Sequence, residues 1–277
     1  MRRHYRGVVS MSSTHTSIRT DIGTTTPDRI SVRGRDLARD VIGKIDFVQM
    51  LCLVVLGRLP DEAEASMIDT LLVTAVDHGL TPSAISTRMT WLGAPESLQG
   101  AVAAGLLGAG ERFLGTVQNT AELLLREAAD LAPDAKEPIL QEIARRVVTT
   151  ARQDGRALPG LGHPIHLNGD PRVPALFDTA RANGFFGRHC RLAVALAEAS
   201  GKPGAGGSEK RKLPLNAAGA LGAILADMGL DPLFGRGLAL IGRCAGLVAH
   251  VLEEREHPTA ARMWELVLRQ DTRNVLP

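Results

Sequence analysis

Apolar residues recur at three- and four-residue intervals over most of the chain, and Gly or Pro marks where each run stops. Between residues 62 and 76 the set Ala63, Met67, Leu71 and Ala75 falls on one helical face, with Asp61 placed to cap its start and Gly79 to close the turn after it. Residues 45–56 are too densely apolar for a solvated helix and predict a largely buried one, ended by Gly57 and Pro60. A further helix is expected over 81–89. Pro95 and Gly100 bracket another start, and the small-residue run 101–110 that follows permits close helix packing or close approach to a ligand, of which packing is the more common. Helical spacing then continues over 120–132, 137–152, 174–183, 187–200, 215–228, 232–252 and 260–268. Residues 28–33 alternate briefly and read as a short strand or an extended arm, whereas 1–27 are rich in Ser, Thr and Arg and are expected to be a disordered tail. The segment 201–212 is expected to be a glycine-rich loop ending in basic residues. With no series of alternating strands and no repeat, the fold class is all-α, with about a dozen helices.

Composition narrows this only a little. The chain has 277 residues, enough for one large domain or two unequal ones with a core. Its net charge is +2, and Arg2, Arg3, Arg6 and Arg19 carry much of the excess, so the body is nearly neutral and no nucleic-acid partner is expected. Cys52, Cys190 and Cys244 are widely spaced and form no C-x-x-C pair, which fits a reducing, cytoplasmic setting. No apolar run reaches the roughly 18 residues of a membrane span, and the basic start lacks the apolar stretch of a secretory signal, so no membrane partner is expected.

The stretch from Leu158 to Arg172 brings candidate chemistry together. Gly160 and Gly162 can adopt backbone angles closed to other residues, so the chain can approach a ligand closely. Pro159, Pro164 and Pro171 stiffen the segment, and it combines the imidazole of His163 with the guanidinium of Arg172, a group shaped for a carboxylate. Upstream, His78 lies between Asp77 and Gly79 at a helix end, where Asp77 could orient its ring. His163, His166 and Asp170 are the one set with metal-ligand chemistry, but Pro164 and Gly169 break any regular face, and no metal site is expected. Usable dinucleotide, Walker and G-x-S-x-G patterns are absent, so neither a nucleotide fold nor a serine nucleophile is supported.

Gly160-Leu161-Gly162-His163 followed by Asp170-Pro171-Arg172 resembles the G-x-G-H…D-P-R signature of the citrate synthase family. Val76-Asp77-His78-Gly79 resembles that family's A-D-H segment, and 241–250 resembles its A-R-x-x-G-x-x-A-H helix. Leu215-Asn216-Ala217-Ala218-Gly219 falls where the family has N-V-D. The block Gly110-Glu111-Arg112-Phe113-Leu114-Gly115 has Phe113 where citrate synthases have a histidine, which resembles the citryl-CoA lyase branch.

The resemblance implies a citrate synthase-like fold, with a large helical domain (28–160 and 240–277), a smaller one (161–239) and a homodimer. It also implies cleavage of citryl-CoA to acetyl-CoA and oxaloacetate without a metal. That reaction needs a base for the tertiary hydroxyl, cations for the carboxylates and an acid for the departing enolate. Carried over by position, His78 and His163 contact the hydroxyl, Arg172 and Arg243 each take a carboxylate, and Phe113 lies among the substrate contacts. The backbone at Leu158, Gly160, Leu161 and Gly162 lines the coenzyme A adenine, and Lys210 and Lys212, with Lys202 and Arg211, meet its phosphates. Ala218 stands where the family has its proton-exchanging aspartate, and Asp227, further along the same helix, is too far to substitute. Two other readings stay open at this point: altered chemistry on a related CoA ester, such as another condensation or thioester hydrolysis, and a non-catalytic binding subunit.

Overall fold

The computed structural model describes residues 18–201 and 212–274, and the chain divides into two compact units, 1–60 and 61–277. In the first unit, strands β1 (Gly23–Thr26), β2 (Arg29–Val32) and β3 (Arg35–Asp36) form an antiparallel meander in the order β1-β2-β3. The 28–33 segment is therefore a strand. Order also begins earlier than composition predicts, because Gly23 pairs with Val32 and Thr26 with Arg29 through backbone bonds that need little side-chain burial. Asp36 caps a single π-helical turn, Leu37–Val41, which the apolar pattern does not reveal. Helix α1 (Phe47–Leu56) starts at a capping box between Asp46 and Gln49, and the Arg33 side chain ties the meander to it by donating to the Val54 carbonyl at 2.9 and 2.7 Å. The expectation of a largely buried helix is corrected here: only Val48, Cys52 and Leu53 are buried in α1, and Phe47 is 66% exposed. Apolar density alone does not say how many faces a neighbour covers.

Among the described residues, the second unit is built of helices joined by loops: α2 (Glu62–Ala75), α3 (Pro82–Gly93), α4 (Leu98–Leu107), α5 (Gly115–Glu127), α6 (Glu137–Gln153), α7 (Arg172–Ala182), α8 (Arg188–Ala199), α9 (Ala217–Asp227), α10 (Pro232–Glu256) and α11 (Ala260–Gln270). Asp61 caps α2 as expected, its carboxylate accepting from the Glu64 N–H at 2.8 Å. Helix α10 is long and apolar enough to cross a membrane by length and composition, but α2, α3, α4, α5 and α9 pack on it, which makes it the core helix of this unit. The small-residue run in α4 serves that packing: a Cβ at Gly105 would lie 2.0 Å from Thr87 Oγ1 and 2.7 Å from Leu247 Cδ1. Arg88, 1% exposed, joins α3 to α10 by donating to the buried Glu254, the exposed Glu253 and His250 Nδ1.

Candidate active site

The end of α2 and the middle of α10 meet because two glycines allow it. A Cβ at Gly242 would lie 2.4 Å from the Leu72 carbonyl, and one at Gly246 would lie 2.0 Å from that of Val76. Arg243, next to Gly242, is thereby carried to the turn that follows α2. That turn contains Asp77, His78 and Gly79, with Gly79 at φ +73°. Asp77 does not orient His78. Its carboxylate accepts from the Gly79 N–H at 2.8 Å and from His250 Nε2 at 2.9 Å, while His250 Nδ1 accepts from Arg88. The partner of Asp77 is 173 residues away, so no local pattern announces it.

The loop after α6 is pinned to the start of α9. The Gly162 N–H donates to the Pro214 carbonyl at 2.7 Å, the Asn216 N–H to the Gly160 carbonyl at 2.9 Å, and Asn216 Nδ2 to the Gly162 carbonyl at 2.7 Å. Gly160, at φ +80°, cannot be replaced without strain, and a Cβ there would fall 2.6 Å from Gly219 Cα. The Gly160 carbonyl and the Gly162 N–H and carbonyl thus hold this loop against the start of α9.

Three imidazoles converge beyond this anchor. His78 Nε2 lies 3.3 Å from His166 Nε2, and the His163 ring centroid is 4.5 Å from that of His166 and 5.3 Å from that of His78. His166, left without a role by the sequence, is a full member of the cluster. The grouping of candidate ligands differs from the one read in the sequence: His78 takes the place of Asp170, whose carboxylate is engaged elsewhere. One nitrogen from each ring lies within 4.8 Å of the others, close enough for a metal ion to draw them together. His163 Nδ1, however, accepts from the Ile165 and His166 backbone N–H groups at 3.1 Å each, so the neutral ring carries its hydrogen on Nε2. A metal would need that bond pattern undone, because ligating histidines normally donate through their second nitrogen. Burial holds the pKa of His78 below the ordinary histidine value, with Arg172 and His166 adding to it; burial, His166 and His78 do the same to His163. Both shifts favour the neutral form of the ring.

The two arginines differ. Arg172 was expected to clamp a substrate carboxylate, but its fork is taken: Nε and Nη2 donate to Asp170 at 2.9 and 2.8 Å. Asp170 also accepts from the Ala217 N–H at 2.9 Å, joining the loop, α7 and α9. Burial works to raise the Asp170 pKa, but the Arg172 guanidinium and the Ala217 and Arg172 N–H groups outweigh it and bring the carboxyl to about 2. An Asp170→Asn variant is therefore expected to lose about 2 kcal/mol at pH 7, or roughly 4–8 °C in Tm. Because the folded-state pKa is depressed from 3.8 to about 2, this contribution is present above the higher value and lost as pH falls through the lower. Melting curves of parent and variant should accordingly converge on acidification. Arg243 has no such partner. It is 7% exposed, and its Nε and Nη1 are buried without a hydrogen bond among the described residues. A buried guanidinium in this state has the chemistry to accept an anion.

Residues 24–264 match the family model described as the citrate synthase C-terminal domain. The chain belongs to the citrate synthase family. It is similar to the solved structure of citryl-CoA lyase from Hydrogenobacter thermophilus, with 33% identity and a TM-score of 0.73, covering 88% of this chain and 89% of that one. It shares its fold with Methanosaeta concilii ATP citrate lyase, solved in complex with (3S)-citryl-CoA, at 24% identity and a TM-score of 0.71, covering 88% of this chain and 40% of that one. Among curated relatives, the probable ATP-citrate synthase subunit 1 of Neurospora crassa is 29% identical over 216 residues, which are 72% of this chain and 29% of that protein. The chain thus spans about a third of the length of the curated relatives it matches.

Of the residues at the start of α9, where the resemblance leads one to expect the family's aspartate, Ala217 is buried and Ala218 half-buried. Asp227 does not make up for it. Its carboxylate caps α8, accepting from the Gly187, His189 and Cys190 N–H groups at 2.7, 3.0 and 2.9 Å and bonding His189 Nδ1 at 2.8 Å. Phe113 sits 47% exposed in the turn before α5 and makes no ring contact with the imidazoles. Lys212 is exposed, and Lys202, Lys210 and Arg211 lie outside the described residues.

Proposed function

We propose that the chain cleaves citryl-CoA to acetyl-CoA and oxaloacetate. The observation that carries this reading is Arg243, a buried guanidinium without a hydrogen-bond partner beside imidazoles shifted toward their neutral form. That combination suits a substrate bearing a carboxylate next to a hydroxyl. The 33% identity to a citryl-CoA lyase over nearly the whole of both chains supports the same substrate.

In this reading Arg243 takes a substrate carboxylate, and the open edge of Arg172 adds positive potential. His163 donates its Nε2–H to the hydroxyl oxygen, which becomes the carbonyl of oxaloacetate. As the C–C bond breaks, its electron pair passes to the thioester as an enolate, and the hydroxyl proton is taken by His78. The enolate carbon then needs a proton. With a methyl at 218, water supplies it, which lowers the rate relative to a positioned acid. Pairing of two copies, a hinge between 28–160 with 240–277 and 161–239, and a cytoplasmic setting belong to the same reading. Exposed Trp264, Leu266 and Val267 on α11 are consistent with a partner copy.

The test is product analysis by mass spectrometry with citryl-CoA and a panel of other CoA esters. Acetyl-CoA and oxaloacetate in equal amounts are expected from citryl-CoA. Release of citrate and free CoA would replace the lyase reading with thioester hydrolysis, and turnover of no ester would leave a binding subunit.

A further inference from the structure

We infer that His166 is a proton-relay residue, receiving through His78 the proton that leaves the substrate hydroxyl and passing it to water. The inference rests on the lyase reading above and assigns a path within it.

The three imidazoles are not equivalent. His163 Nδ1 accepts from the backbone N–H groups of Ile165 and His166, which fixes this ring as an Nε2–H donor. In that tautomer it can polarise an oxygen but has no free lone pair with which to take a proton. His78 is the remaining imidazole of the expected pair, and its Nε2 is 3.3 Å from His166 Nε2. Two imidazole nitrogens bond only when one carries a hydrogen and the other a lone pair, so a proton is already shared between these rings. No carboxylate backs His78, since Asp77 is bonded to His250 and Gly79. Asp170, the other acid near the cluster, is bound to Arg172 and the Ala217 N–H. His166 is therefore the group placed to receive what His78 collects.

The steps balance. The substrate O–H bond breaks and an N–H bond forms on the outer nitrogen of His78. The shared proton crosses from His78 Nε2 to His166 Nε2, and His166 gives up its other ring proton to water. The C–C bonding pair moves to the thioester enolate, whose carbon takes a proton from water beside Ala218. One proton leaves and one arrives, and no oxidant or reductant is required. Exchange with water restores the starting tautomers after product release. The surroundings of His166 suit the last transfer: the ring is half-buried, and its neighbours Ile165 and Leu167 are 70% and 47% exposed.

The experiment uses the full chain with citryl-CoA and compares the parent with His166→Gln and His166→Ala. The His163 tautomer is set by the backbone N–H of residue 166, so neither substitution removes it. Glutamine can still bond His78 but cannot pass a proton. Expected are a fall in kcat of about 100-fold in both variants, a KM within a few-fold of the parent, and recovery of the alanine variant by added imidazole. A parent that turns over citryl-CoA together with a glutamine variant of unchanged kcat overturns the relay alone. A fall in kcat that added imidazole does not restore, accompanied by a lowered Tm, assigns His166 a structural role instead. A parent that does not cleave citryl-CoA removes the lyase reading and the relay with it.

Discussion

Replacing Arg243 with methionine is expected to stabilise the ligand-free protein while weakening its binding of citrate and citryl-CoA by at least an order of magnitude. The side chain is 7% exposed, and its Nε and Nη1 lack hydrogen-bond partners, so folding removes a charge from water with little return. Burial opposes the charge of this arginine, Arg172 adds repulsion, and only Asp77 acts in its favour. Methionine is of similar length and adaptable in shape, so the exchange should gain about 1–3 kcal/mol, or roughly 2–12 °C in Tm. Binding should respond in the opposite sense. Losing one partner of a desolvated charge pair costs about 2–5 kcal/mol, a loss of roughly 30- to 4000-fold in affinity. Differential scanning calorimetry and titration calorimetry with citrate check the two halves separately. A lowered Tm with citrate affinity retained would make Arg243 a packing residue and take away the main support for a carboxylate site.

An Ala218→Asp variant is expected to cleave citryl-CoA about 100-fold faster than the parent, with KM little changed. Position 218 is the second residue of α9, half-buried and next to the Ala217 N–H that Asp170 accepts. The helix N-terminus favours a carboxylate there, while the Asp170 charge opposes its ionisation, so the added group can exist in both protonation states. A protonated Asp at 218 replaces water as the acid for the enolate carbon. Stopped-flow measurement of oxaloacetate release reads the gain. An unchanged rate would mean that protonation of the carbon does not limit turnover, or that the acyl group lies away from this methyl.

Much of the fold was legible because helix boundaries are written locally. The helix read over 62–76 runs Glu62–Ala75, and that over 137–152 runs Glu137–Gln153, each bounded by groups within a few residues of its ends. The meander was legible only in its middle strand, since Gly23–Thr26 is held by pairing with Arg29–Val32 and not by its own side chains. At the site, His78, His163, Arg172 and Arg243 were all named from spacing and family resemblance. What spacing could not reveal is which groups are already engaged. Asp170 closes the fork of Arg172 from two positions away, His250 claims Asp77 across 173 residues, and His166 joins His78 across 88. The first of these had a local signal, an Asp and an Arg flanking a proline. The other two depend on α10 and the 158–172 loop arriving at the end of α2, and for α10 the signal was Gly242 and Gly246, whose missing side chains allow that approach.

The most direct test of the central claim is a single-turnover reaction of the unmodified chain, in excess, with citryl-CoA, following oxaloacetate and acetyl-CoA together. The account predicts that both appear at one rate and in equal amounts, faster than without protein, and that Arg243→Met abolishes the reaction. Citryl-CoA recovered intact, or converted to citrate and free CoA, would contradict it.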